Sequence, residues 1–342
     1  MLTRRLALLA ATILLLTASL GGAAKLINGA GATFPYPIYS KWFDEYRKKN
    51  SDVQINYQSI GSGGGIRQVL EGTVDFGASD GPMTDEQLAQ AKTPILHFPT
   101  VLGAVVATYN VPGVDKLRLT PESLTGIFLG KITMWNDPAL AKDNPGVKLP
   151  AQPIVPVHRS DGSGTTYVFV DYLSKVSPEW SKSVGRSTSV AWPVGLGGKG
   201  NEGVTGLVKQ TPNAIGYVEL VYAAQNKLPY ADIKNRSGAF VSPTLESVTA
   251  AAAAAVAKMP SDFRVSITDP EAADAYPIAS FTWLLIPSAI PNAETHKGIV
   301  DFLEWMLSEG QTFTKPLGYA PLPEAVVAME RPAIQKIRVG DR

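Results

Sequence analysis

The stretch Arg159-Ser160-Asp161-Gly162-Ser163-Gly164-Thr165 decides how the rest of the chain is interpreted. The apolar run 154–157 before it predicts a short buried strand, and apolar residues at helical spacing follow it: Val168, Phe169, Tyr172 and Leu173. The stretch is therefore predicted to lie on a turn between a strand and a helix. A helix N-terminus presents unpaired N–H groups and the positive end of the helix dipole, so it favours anions. Two interpretations fit: an oxyanion site clamped by Arg159, or an ordinary capped turn with an Arg–Asp surface pair.

The first 24 residues have the composition of a secretory signal peptide. Arg4 and Arg5 precede an apolar run from Leu6 to Leu16, and small residues lead to a cleavage site after Ala24. The apolar run is short for a membrane span, although an uncleaved anchor is the alternative. We therefore predict that residues 1–24 are removed and that the mature chain is periplasmic.

The composition excludes several classes of protein. The length of 342 residues predicts about two domains, and loss of Arg4 and Arg5 changes the formal charge from +1 to −1. A nucleic-acid partner is not expected, because such proteins carry a basic excess. The chain has no cysteine, which excludes disulfides and thiolate metal sites, and its three histidines are too scattered for a metal site. No cofactor and no metal are expected.

The order of strand, glycine-rich turn and helix recurs along the chain. Residues 53–60 alternate like a strand and run into Gly61-Ser62-Gly63-Gly64-Gly65, after which a short helix is predicted. Thr33 and Phe34 also lie just before a predicted helix. Asp80 lies on a turn after the strand-like residues 73–76, and Thr84 is predicted to cap the next helix. Hydroxyl side chains therefore lie at the predicted helix N-termini that follow Thr33, Ser62 and Ser163.

The alternation of strands with helices predicts the α/β class. Pro99 to Tyr109 and Phe281 to Ile286 are apolar and rich in β-forming residues, so we predict that they cross between two lobes. Helices are predicted at 121–129, 138–142, 245–258 and 293–307, and a strand at 214–220.

Two generic motifs match the chain. Gly77-Ala78-Ser79-Asp80-Gly81 fits the nucleophile elbow G-x-S-x-G, but Pro82 delays the helix that should support the serine, and no histidine has a recognisable setting. Residues 195–200 fit G-x-G-x-x-G, but they follow Trp-Pro deep inside the chain and lack the acidic residue of a nucleotide fold. Both motifs are weak evidence for an enzyme or a nucleotide site.

An oxyanion site must also select its anion. Phosphate near neutral pH keeps at least one proton, whereas ionised sulfate has none. A carboxylate in the site would accept that proton and repel an anion without one, and Asp80 is the candidate. Sites built around one required hydrogen bond can reject an analogue that lacks it by roughly 10⁴–10⁵-fold. Arg159 would contact the anion in bidentate fashion, and Asp161 could hold its guanidinium in place. The alternative for Asp80 is an ordinary turn or cap aspartate.

Together, these segments resemble the PstS family, the periplasmic phosphate-binding proteins of bacterial phosphate ABC transporters. The resemblance runs in order over nearly the whole mature chain. The segments that carry it are 29–35, 61–65, 75–80, 98–101, 129–132, 159–165, 192–201 and 214–219. It implies a type II periplasmic-binding-protein fold, in which two α/β lobes with a ligand cleft between them are joined by two crossing hinge strands. Lobe 1 is predicted to comprise residues 25–101 and 281–342, and lobe 2 residues 102–280.

The resemblance also implies the site. The phosphate ligands would be Thr33, Phe34 through its backbone N–H, Ser62, Asp80, Arg159, Ser163, Gly164 and Thr165, with Asp161 behind Arg159. The sequence departs from the family at Gly63, where many relatives have a second serine. Ser160 and His158 flank Arg159 where the family varies, and His158 could change how affinity responds to pH.

We therefore expect a monomeric receptor, without enzymatic activity, that captures inorganic phosphate and delivers it to the permease subunits of an ABC transporter. The alternatives are a receptor for another oxyanion, such as sulfate or molybdate, and a secreted serine hydrolase or phosphatase using Ser79 or Ser163.

Overall fold

A computed structural model describes residues 24–341. The predicted signal peptide therefore lies outside the described residues, apart from Ala24. Within residues 24–341, no helix combines the length and the apolar character that a membrane crossing requires.

The strands are β1 Lys25–Gly31, β2 Val53–Ser59, β3 Phe76–Ser79, β4 Ile95–Asn110, β5 Arg118–Leu119, β6 Val155–Arg159, β7 Leu196–Gly198, β8 Ala214–Glu219, β9 Asp232–Lys234, β10 Phe240–Val241, β11 Ala279–Pro287, β12 Ala289–Ile290 and β13 Arg338–Val339. The centre of the molecule is one eight-stranded sheet in the order β2-β1-β3-β11-β4-β8-β6-β7. Strand β11 is antiparallel to both of its neighbours, β4 is antiparallel to β8, and the other neighbouring pairs of this sheet are parallel. Two small sheets, β10-β9-β5 and β12-β13, lie outside it.

Helices follow most strands of the central sheet, as the α/β class requires. They are α1 Tyr36–Lys49, α2 Ser62–Glu71, α3 Asp85–Leu88, α4 Pro121–Phe128, α5 Pro138–Asp143, α6 Gly164–Val176, α7 Pro178–Ser183, α8 Gly200–Gln210, α9 Leu220–Gln225, α10 Leu245–Val256, α11 Ala293–Met306 and α12 Glu324–Ile334. Two 3₁₀ helices span Glu309–Phe313 and Lys315–Leu317.

Strand β4 joins the two halves of the sheet. Residues Ile95 to Ala104 pair with β11, and residues Val105 to Asn110 pair with β8. The return connection meets β4 at the same place, because the N–H of Val105 donates to the carbonyl of Ile278 and Ala279 pairs with Ala104. Each half is therefore an α/β lobe, and both connections cross where β4 changes its partner.

Most predicted elements are present, with their ends moved by a few residues. Thr84 caps α3 as predicted, accepting from the N–H of Gln87. The prediction of a strand through residue 220 was wrong at its end, because Glu219 caps a helix that begins at Leu220. Strand β1 was missed, since its sequence Lys-Leu-Ile-Asn-Gly-Ala-Gly has no clear alternation.

Candidate functional site

Three predicted site segments meet at the cleft between the lobes. A Cβ atom added at Gly164, the first residue of α6, would overlap Oγ of Ser62 and lie 2.5 Å from Oδ2 of Asp80. The N–H of Gly63 donates a 2.9 Å hydrogen bond to the carbonyl of Gly162. The turn before α6 therefore touches the start of α2 and the turn after β3, and the structure is closed.

Arg159 is buried at the end of β6 and is held by an ion pair with Asp161, which is partly buried. Its Nε lies 2.7 Å from Oδ1 of Asp161 and its Nη2 2.5 Å from Oδ2 of the same carboxylate. Oδ1 of Asp161 also accepts from the N–H of Gly200, the first residue of α8. Burial acts to raise the pKa of Asp161, but the hydrogen bonds and charge of Arg159 outweigh it and keep that pKa below its usual value. The ion pair fixes the guanidinium with Nη1 turned away from Asp161.

Asp80 is buried at 1 % exposure, directly after β3. Its Oδ1 accepts a 2.8 Å hydrogen bond from the hydroxyl of Thr282 on β11. Burial raises the pKa of Asp80 to about 7, although the Thr282 hydrogen bond and the charge of Arg159 act to lower it. The carboxyl can therefore exchange a proton near neutral pH.

The two predicted serines each accept a hydrogen bond from a backbone N–H. Oγ of Ser62 lies 3.2 Å from the nitrogen of Asp80, and Oγ of Ser163 lies 3.0 Å from the nitrogen of Thr166, so that Ser163 is the N-cap of α6. Both serines are completely buried. Since each oxygen already accepts a hydrogen bond, each hydroxyl hydrogen can be donated elsewhere.

Thr33 and Thr165 are joined by Asn201, a residue that the sequence analysis did not assign to the site. Nδ2 of Asn201 lies 2.7 Å from Oγ1 of Thr33 and 3.1 Å from Oγ1 of Thr165. Phe34 is buried beside Thr33, and its carbonyl accepts a hydrogen bond from the hydroxyl of Tyr319. The position of Asn201 at the end of the glycine cluster 192–201, next to a helix start, was the available signal.

Two atoms of the predicted site residues are buried and lack a hydrogen-bond partner. They are Nη1 of Arg159, which can only donate, and Oδ2 of Asp80, which accepts when ionised. When Asp80 is ionised, a ligand that satisfies both atoms must carry an acceptor oxygen and a proton. Hydroxyl hydrogens and the N-termini of α2 and α6 add further donors.

Further supporting residues were also missed. Thr282 lies within the predicted crossing strand, but nothing local indicated that its side chain would meet Asp80.

The hydroxyl of Tyr217 accepts a 3.0 Å hydrogen bond from the N–H of Arg159, and its ring stacks on Phe169. His158 stacks on Trp192, and its Nδ1 lies 3.0 Å from the carbonyl oxygen of Arg159. These contacts connect the end of β6 to the core of its lobe.

The serine hydrolase alternative finds no histidine placed beside Ser79 or Ser163 among the described residues. Oγ of Ser79 is bonded to the carbonyl and N–H of Gly81, and none of the three histidines is hydrogen-bonded to Ser79 or Ser163. His97 accepts from the N–H of Met83, and burial lowers its pKa to about 4. Across residues 24–341, no cluster of His, Cys, Asp and Glu could hold a metal ion.

Comparison with known proteins identifies the family. The PBP superfamily domain matches residues 17–310. The phosphate-binding protein PstS of Pasteurella multocida is 47% identical over 328 residues, covering 95% of this chain and 94% of the relative. PstS of Methanocaldococcus jannaschii is 41% identical, covering 92% of this chain and 86% of the relative. These relatives are named as binding proteins rather than enzymes.

Solved structures show the same fold. A high-affinity periplasmic phosphate-binding protein bound with phosphate has a TM-score of 0.73 and 23% identity, covering 90% of this chain and 93% of the other. A phosphate ABC transporter substrate-binding protein with bound phosphate from Clostridium perfringens has a TM-score of 0.65 and 19% identity, covering 87% and 100%. The fold is therefore the periplasmic-binding-protein fold, and by sequence the chain belongs to the PstS family of phosphate-binding proteins.

Proposed function

We propose that this chain binds inorganic phosphate in the periplasm and delivers it to a membrane ABC transporter. The observation that carries the proposal is the pair of buried, unpartnered atoms, Nη1 of Arg159 and Oδ2 of Asp80. A phosphate that keeps a proton would accept from the first and donate to the second. Ionised sulfate would face Oδ2 with lone pairs only. The names of the relatives, phosphate-binding protein PstS, support the same ligand.

The ligand set that we propose surrounds the anion with donors. Buried hydroxyls, the guanidinium and helix N-termini supply the hydrogens, and Asp80 supplies the single acceptor. Asp161 does not touch the ligand but holds Arg159 in position. The proposed ligands are Thr33, Phe34, Ser62, Asp80, Arg159, Ser163, Gly164 and Thr165.

We also propose that binding closes two lobes, comprising residues 25–101 with 281–342 and residues 102–280, by a hinge motion. The change of partner along β4 at Ala104 and Val105 supports a hinge in this region. The receptor would act as a monomer that presents its closed form to the permease subunits.

Titration calorimetry with inorganic phosphate tests the function. We expect tight binding of one phosphate per chain, unaffected by excess sulfate. Equal competition by sulfate or molybdate would contradict phosphate selectivity, and turnover of a phosphoester would favour an enzyme.

A further inference from the structure

The side chain of Asn201 has a fixed orientation. Its Oδ1 accepts a 3.0 Å hydrogen bond from the N–H of Glu219, so its amino group must face the other way. That group donates to the hydroxyl oxygens of both Thr33 and Thr165. All three side chains are buried at 2 % exposure or less, so water does not compete for these bonds.

The hydrogen bonds of Thr33 determine what its hydroxyl can still do. Its Oγ1 accepts from Nδ2 of Asn201 at 2.7 Å and from the backbone nitrogen of Asn201 at 3.3 Å. A hydroxyl has two lone pairs and one hydrogen. Because both lone pairs of Thr33 are used, only its hydrogen remains for another partner. Thr165 accepts one bond from the same amide and is biased in the same direction.

We propose that Asn201 is a positioning residue that turns the hydroxyl hydrogens of Thr33 and Thr165 towards the bound anion. The inference rests on the proposed function and adds to it a residue outside the ligand set. Thr33 follows β1 in one lobe, whereas Thr165 and Asn201 belong to helices α6 and α8 of the other. The amide therefore also links the two lobes in the closed form.

Two substitutions separate this role from simple packing. Asn201→Asp keeps the shape but replaces two donor hydrogens by a carboxylate oxygen, which only accepts. The threonine hydrogens would then turn towards residue 201, away from the anion. Asn201→Ala leaves a cavity but lets both hydroxyls rotate towards the ligand. If Asn201 orients the threonine hydroxyls, the Asp variant should bind phosphate more weakly than the Ala variant. If Asn201 only fills space, the Ala variant should bind more weakly than the Asp variant.

Calorimetric titration with inorganic phosphate shows which of the two variants binds more weakly. We expect Asn201→Asp to weaken binding by about 100-fold or more, because two hydrogen bonds to a charged ligand are lost. We expect Asn201→Ala to lose less than about tenfold. Weaker binding by the Ala variant, or an Asp variant within about threefold of the wild type, would overturn the inference.

The added negative charge needs its own control. If Asn201→Asp acts through the hydroxyl of Thr33, the loss of phosphate affinity that it causes should shrink several-fold in a Thr33→Val background. An undiminished loss would mean that the added charge alone is responsible, and it would overturn the inference. Asn144→Asp is the matched variant, because the Asn144 amide also donates two hydrogen bonds and accepts one from a backbone N–H, away from the proposed ligands. It should bind phosphate like the wild type.

Thermal unfolding without phosphate shows whether the variants fold. If Asn201→Asp fails to fold, the single variants Asn201→Ala and Thr33→Val are compared with the double variant. The loss of phosphate affinity in the double variant should be smaller than the product of the two single losses. Losses that multiply independently would overturn the inference. A wild type that does not bind phosphate overturns the proposed function and this inference together. A wild type that binds, with an Asp variant that binds equally well, overturns the inference alone.

Discussion

Gly164 lies so close to Asp80 that a single added methyl group would occupy the space of the carboxylate, at 2.5 Å from Oδ2. The two residues belong to opposite sides of the cleft, one at the start of α6 and the other after β3. Their contact depends on the lobes being closed. Closure of the lobes therefore requires a residue without a side chain at position 164. This requirement is separate from the backbone flexibility that glycine also provides.

Gly164→Ala should prevent closure on phosphate. We expect the variant to lose the phosphate-induced rise in melting temperature, while the melting temperature of the ligand-free chain changes little, because alanine is well tolerated in a helix. Gly206→Ala in α8 is the matched control, since a Cβ there has no neighbour within 4 Å. It should keep phosphate binding and stabilise the chain by about 0.5–1 kcal/mol. A normal phosphate response in Gly164→Ala would contradict the closed geometry.

Asp80→Asn should relax selectivity. The amide cannot take a proton from the ligand, but it offers hydrogens to an anion that has none. We expect weaker phosphate binding and measurable sulfate binding by calorimetry in the variant. An unchanged sulfate affinity would count against Asp80 as the proton acceptor.

Asp80 should also make the stability of the chain depend on pH, because the closed structure buries its carboxyl group. Its pKa is raised from 3.8 to about 7, so the neutral carboxyl is favoured in the folded state. The stabilisation that follows is present below about pH 4 and is lost as the pH rises to about 7. We expect wild type to lose up to about 4 kcal/mol relative to Asp80→Asn over this range. Urea unfolding at several pH values measures the difference, and parallel pH profiles would contradict the raised pKa.

Ser163→Ala should weaken both binding and stability. We expect a loss of phosphate affinity of about 1–3 kcal/mol for the hydroxyl, and about 1 kcal/mol of stability for the lost cap of α6. Ser177→Ala is the control, because Ser177 caps α7 through the N–H of Trp180 and is no proposed ligand. It should lose stability alone. Equal phosphate affinities in the two variants would remove Ser163 from the ligand set.

The sequence allowed the prediction of those features that local patterns encode. Glycine-rich turns before helical stripes located Ser62 and Ser163 at helix starts, and the apolar runs around 99–109 and 281–286 located both crossing strands. The family resemblance supplied the roles of the ligands, which remain predictions. The contacts of Asn201 with Thr33 and of Thr282 with Asp80 join residues 168 and 202 positions apart. No periodicity or spacing encodes such pairs, because Thr282 meets Asp80 only when β11 pairs with β3, and Asn201 meets Thr33 only when the lobes close.

Strand β11 has a consequence for the order in which the molecule can fold. It lies between β3 and β4 at the centre of the sheet, yet it is synthesised about 200 residues after β3. A chain that emerges from the ribosome in sequence therefore cannot complete the lobe that contains β3 until residues 279–287 are available, and pairing over such separations is slow. Pulse-labelling during refolding should show the amides of β3 and of residues 95–104 in β4 gaining protection together, and late.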